Sequence, residues 1–239
     1  MLVAAAVCPC PPLLVPEVAS GAAPELDGLR AACDEALRDV LAARPDLVVA
    51  VGPAEGHDQI GYPQGARGTF RSFGVPLDVS LGRAEPDAAV PGPSLPVSLA
   101  VGAWLLDRVG WTGPVRGLAA GSDRDRRANH GDGARTAGAA DRVALLVLGD
   151  GSARRSLKAP GYLDERAERV DADLARALGR TDDGTFLPSL DADLARDLMI
   201  SGRSPWQVLD GAADGARLSG RLLYEAAPYG VGYFVASWS

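Results

Sequence analysis

The chain has 239 residues, and 24 Lys and Arg against 31 Asp and Glu leave a net charge of −7. That balance argues against sequence-independent binding of nucleic acid, which needs basic surface to neutralise phosphates. Hydrophobic residues make up 47% and charged residues 23%, the composition of a globular chain with a sizeable core rather than a disordered one. No apolar run approaches the ~18 residues of a bilayer-spanning helix, so no membrane partner is expected.

In chain order, residues 2–7 (LVAAAV) read as a buried strand. No basic segment precedes them and the Pro-rich CPCPPLLVP follows, which argues against a signal peptide. Residues 24–43 predict a helix, with Leu26, Leu29, Cys33, Leu37, Val40 and Leu41 on one stripe. Residues 46–52 (DLVVAVG) predict a second buried strand and residues 75–81 a half-buried one. A helix over 96–109, a strand over 114–120 and a strong apolar strand over 142–150 follow. Residues 163–179, 187–199 and 205–213 read as helices, and 221–227 and 231–237 as closing strands. The segments 52–74, 82–95 and 121–135 read as loops, the last one strongly polar. Alternating strands and helices, with strands apolar on both faces, predict an α/β fold. We expect one domain over residues 1–239, with a mostly parallel or mixed central sheet flanked by helices.

The three cysteines, Cys8, Cys10 and Cys33, are too few and of the wrong parity for a disulfide framework. They point to a reducing, cytoplasmic compartment. The lone lysine, Lys158, among many arginines suggests a GC-rich bacterial genome. Phosphate-loop, nucleophile-elbow and zinc motifs are missing from the sequence, and with only His57 and His130 a three-histidine metal site is arithmetically excluded.

The candidate chemistry lies in loops after strand ends, where α/β proteins place their sites. Cys10 could be a nucleophile or soft-metal ligand, or a small residue in a rigid turn. Cys33 sits on the apolar helical stripe and reads as core. His57, with Glu55 or Asp58, could be a ligand set or an acid–base pair, or a solvated loop. His130 sits in Asn129-His130-Gly131 and is either close to a ligand or a surface loop histidine. Asp150, at a Gly-Asp turn, could be a functional carboxylate with Arg154 and Arg155 binding an anion, or a helix cap. Glu225, in an otherwise apolar strand, is either paired or at an exposed strand end.

Taken together, these blocks resemble the LigB-like family of class III extradiol dioxygenases, to which Memo-like proteins are related. CPCPPLLVPEV (8–18) is similar to its opening S-P-H-P-P-L-I-V-P-E-V, VGPAEG (51–56) to its S-P-H-G block, and FRSFGVP (70–76) to F-x-x-F-G-x-P. NHG (129–131) resembles D-H-G, and LGDGSARRSLKAPGY (148–162) resembles G-D-L-S-H-R-L-x-x-x-A-P-x-G-Y. SGRSPW (201–206) resembles the C-G-R-H-P-I of Memo-like members, and YEAAPYGVGYFVA (224–236) the closing Y-E-G-P-F-G-V-G-Y-x-V-A.

The resemblance implies a LigB-like fold, and in active members a ferrous iron held by two His and a carboxylate. The metal and catalytic imidazole positions, however, fall at Cys10, Ala54 and Ala153, and the Memo-type cysteine and histidine at Ser201 and Ser204. His130, Asp150 and Glu225 are kept. Alanine has no lone pair for a metal. The expected protein therefore has this scaffold without iron chemistry and with no cofactor. Its pocket, lined by Cys10, Ala54, His57, His130, Asp150, Ala153, Ser201 and Glu225, would bind a small molecule or a protein partner. His130 and Asp150 are the catalytic candidates if it is an enzyme, and the resemblance also raises a homo-oligomer. The alternative is a metal-dependent oxidoreductase with a rearranged Fe(2+) or Zn(2+) site at Cys10, His57 and Glu225. A third reading is a metal-free enzyme using Asp150, His130 and Arg154, or Cys10 as nucleophile.

Overall fold

The computed structural model describes residues 1–83, 92–180 and 186–239. Its strands are β1 (Leu2–Cys8), β2 (Leu47–Pro53), β3 (Ile60–Tyr62), β4 (Arg67–Thr69), β5 (Asp78–Ser80), β6 (Val115–Ala120), β7 (Val143–Leu148), β8 (Gly220–Ala226) and β9 (Tyr233–Trp238). The helices are α1 (Pro16–Ala19), α2 (Asp27–Ala42), α3 (Val97–Arg108), α4 (Arg126–Ala137), α5 (Arg166–Leu178), α6 (Phe186–Ser189), α7 (Ala192–Asp197) and α8 (Arg203–Ala213).

Seven strands form one sheet in the order β3-β6-β2-β7-β1-β9-β8. The inner four, β6-β2-β7-β1, are parallel, whereas β3, β9 and β8 are added antiparallel at the two sides. This is the mixed, mainly parallel α/β architecture expected from the apolar strands. Alternate residues along the strands serve two cores. Ala4, Ala6, Cys8, Val48 and Ala50 pack with the apolar stripes of α2 and α3. Ala5, Val7, Val49, Leu145, Val147 and Phe234 pack with those of α5, α7 and α8. Fully burying one such aliphatic side chain stabilises the fold by about 1.5–3 kcal/mol.

Most elements fall where the periodicity puts them, with three corrections. The segment 121–135, expected to be a loop, contains most of α4. Asp125 caps it by accepting the Ala128 N–H at 2.7 Å, and the helix packs closely on α8. A Cβ on Gly133 would run into the backbone of Val208 and Ala212, and one on Gly211 into the backbone of His130. The helix expected over 187–199 is two pieces, because Asp191 starts α7 afresh by accepting the N–H groups of Asp193 and Leu194. The loop 52–74 contains β3, paired with β6, and β4, paired with β5. Of the loop expected over 82–95, residues 84–91 lie outside the described residues.

The parallel register brings Cys8 level with Leu148, and Pro53 level with Ala120. The C-terminal ends of β1, β2, β6 and β7 therefore share one edge, and the loops that leave it carry most of the candidate residues.

Candidate functional site

Asp150 is the knot at this edge. Its Oδ1 accepts the Cys10 N–H at 2.9 Å, which ties the end of β1 to the end of β7. Its own N–H donates to Ser201 Oγ at 2.9 Å, and its carbonyl accepts the Gly202 N–H at 3.0 Å. Gly149 makes this join feasible, since a Cβ there would strike the Gly202 Cα. Burial pushes the Asp150 carboxyl up to about 6, against the opposing pull of the Cys10 N–H.

Cys10 is buried, and burial, then the Asp150 charge, push its thiol well above the usual range. A thiol held protonated is a poor nucleophile, which weighs against the nucleophile reading of Cys10. Cys33 is fully buried in the core. The Tyr233 hydroxyl is also raised, by burial first and then by Asp150 and Cys10.

The segment after Asp150 is held from inside. Gly151 N–H donates to Gly232 O at 2.7 Å, and Ala153 N–H to Leu198 O at 3.0 Å. The fully buried Asp171 accepts from Ser152 N at 2.9 Å, Ser152 Oγ at 2.8 Å and Arg155 Nη1 at 3.1 Å. Arg155 thus neutralises an internal carboxylate, in place of the anion-binding role considered for it. Ala153 is buried within this framework.

Beside the knot opens a cleft of about 440 Å³. Its walls come from the ends of β2 and β6 and from α7 and the start of α8, and include Ala54, His57, Asp123, Ser201 and Arg203. His57 Nδ1 lies 2.8 Å from Asp123 Oδ2 and 3.3 Å from Ser122 Oγ. Both contacts fall on one ring nitrogen, so they do not form a relay in which a carboxylate and a hydroxyl take opposite nitrogens. Arg203 is nearly buried, and Ser204 donates to Gly121 O at 2.9 Å.

Other candidates lie elsewhere. His130 is on α4, with Nε2 4.0 Å from Asp214 Oδ2, and is not among the cleft residues. Glu225 is on the outer strand β8, beside Ala172, Arg176 and Gly179 on a different groove, because β8 closes the sheet on the side away from β2. Glu55 accepts the Val97 N–H at 3.3 Å, and Asp58 is exposed. The set Cys10, His57 and Glu225 therefore does not assemble. Among the described residues no group of three or more His, Cys, Asp or Glu is placed to hold one ion. The residues present do not fit the iron that the sequence resemblance implies. Asp123 and Arg196 have no motif to mark them in the sequence, although Asp123 lies just after a strand end, where a site is expected; Arg203 falls in the SGRSPW block, in which the resemblance marks only the Ser201 and Ser204 positions.

No protein-family model matches the chain, and no curated protein matches it. Among solved structures, the chain is similar to an uncharacterized protein, JW3007, from Escherichia coli K12, with a TM-score of 0.58, 13% sequence identity and 99% of both chains covered. At that identity the likeness concerns the fold alone. No helix of the described residues is long and apolar enough to cross a membrane.

Proposed function

We propose that this is a LigB-like protein that has lost iron-dependent ring-cleavage chemistry and keeps the cleft at its strand ends as a small-molecule pocket. One observation carries the reading. The positions that the resemblance gives to imidazoles hold Ala54 on the cleft wall, and Cys10 and Ala153 buried in the framework beside it. Alanine offers no donor, and Cys10 places a thiol where the resemblance has an imidazole. Asp150, which could have served as a carboxylate ligand, spends its Oδ1 on the Cys10 N–H. Three free cysteines suit a reducing, cytoplasmic setting.

The test is anaerobic purification with Fe(II) supplied, followed by elemental analysis and oxygen-uptake assays with catechols. Substoichiometric iron and no catechol-dependent oxygen uptake are expected. One iron per chain with ring cleavage would overturn the reading.

A further inference from the structure

We propose that the cleft takes a small organic anion, its oxyanion end gripped by Arg203 and the first turn of α8 and its apolar body lying on the alanine and methionine wall. This deepens, and rests on, the reading of the cleft as a binding pocket.

Arg203 is 8% exposed. Its Nε donates to Leu190 O at 3.0 Å, and its Nη1 to Arg124 O at 3.2 Å and Ser122 O at 3.5 Å. All three acceptors are neutral carbonyls. Among the described residues Arg203 has no carboxylate at ion-pair distance, and its Nη2 is left without a hydrogen bond. A guanidinium keeps its proton in a protein, so this charge is held in the cleft wall without a directly paired acid. Burial lowers its pKa, and the more distant charges of Asp191, Asp123 and Asp125 offset this only in part.

The surroundings point the same way. Arg196, ion-paired with Asp193 at 2.5 Å, lines the rim of the same cleft, and α8 begins there with Ser201 and Ser204 on the wall, the Ser204 hydroxyl being already given to Gly121 O. The N-terminal end of this eleven-residue helix adds positive potential. The acidic residue on the wall, Asp123, is engaged by His57 at 2.8 Å. Ala54, Ala120, Ala195, Met199 and Ile200 provide the apolar surface. A carboxylate and a phosphate share the chemistry that Arg203 recognises.

The experiment titrates the intact chain with hexanoate, hexyl phosphate and the neutral hexanamide, followed by backbone NMR shifts and calorimetry. Either anion should bind at least about tenfold more tightly than the amide, with shifts centred on residues 195–204; the tighter of the two anions identifies the oxyanion. Arg203→Gln should remove that preference. Because Arg203 is buried and its variant could unfold, the rim charge reversal Arg196→Glu is a second probe and should weaken both anions while sparing the amide. Equal binding of amide and anions in the cleft would overturn the proposal and leave the pocket reading standing. Binding of none of the three probes at residues 195–204 would overturn both.

Discussion

Asp150 makes stability depend on pH in a way that can be isolated. In the unfolded chain its carboxyl ionises at its ordinary 3.8, and in the folded protein burial raises this to about 6. The folded state therefore holds the proton more tightly. This contribution to stability is complete below the unfolded value and is lost as pH rises through the folded one. The difference corresponds to about 3 kcal/mol. Asp150 is half-buried, so solvent screening makes that an upper value. Other carboxylates pull the opposite way: hydrogen bonds from Arg71 and Arg166 hold Asp78 and Asp164 at about 2, and their stabilisation is lost as pH falls. Comparison with Asp150→Asn cancels those terms, because the amide oxygen can still accept the Cys10 N–H. Urea unfolding of both proteins between about pH 4 and 7 should show the variant gaining on the wild type by up to about 3 kcal/mol as pH rises. A gap that stays constant across that range would refute the burial argument.

Three further outcomes are expected. Asp171→Ala leaves Ser152 and Arg155 without their acceptor and should cost about 3 kcal/mol in urea unfolding; a loss below about 1 kcal/mol would mean that the loop is held by other contacts. Gly211→Ala should destabilise by about 1–3 kcal/mol through collision with the His130 backbone, despite the better helix propensity of alanine, and an unchanged melting temperature would contradict the close α4–α8 packing. Native Cys10 should resist iodoacetamide at neutral pH and react only after unfolding, as read by peptide mass spectrometry; rapid native labelling would mean that its thiol is not held protonated.

The apolar strands β1, β2, β6 and β7 are legible in the sequence because a strand buried on both faces has a signal of its own, and α2 and α5 because their stripes have helical spacing. Helix α4 is not. Its residues are polar and include Gly131 and Gly133; the Asp125 cap is its one local signal, and its packing through Gly133 and Gly211, where two backbones meet, is a tertiary cause that the apolar periodicity does not carry. Strands β3 and β4 are three residues each and exist through their partners. At the site, the rule that chemistry follows strand ends places Ala54, His57 and Asp150 at the edge where they lie. Glu225 looks chemical only if its strand is taken as buried, whereas β8 is the outermost strand. Arg203 sits in the SGRSPW block that carries part of the resemblance, but its role is not legible there, because what sets it apart is burial without a directly paired acid, which exists only once the chain has folded.

The most direct measurement is an anaerobic equilibrium titration of the metal-stripped protein with Fe(II), read by calorimetry. The loss of the imidazole donors predicts no saturable one-to-one binding at micromolar metal. Saturable one-to-one binding that is abolished by Cys10→Ala or His57→Ala would contradict it.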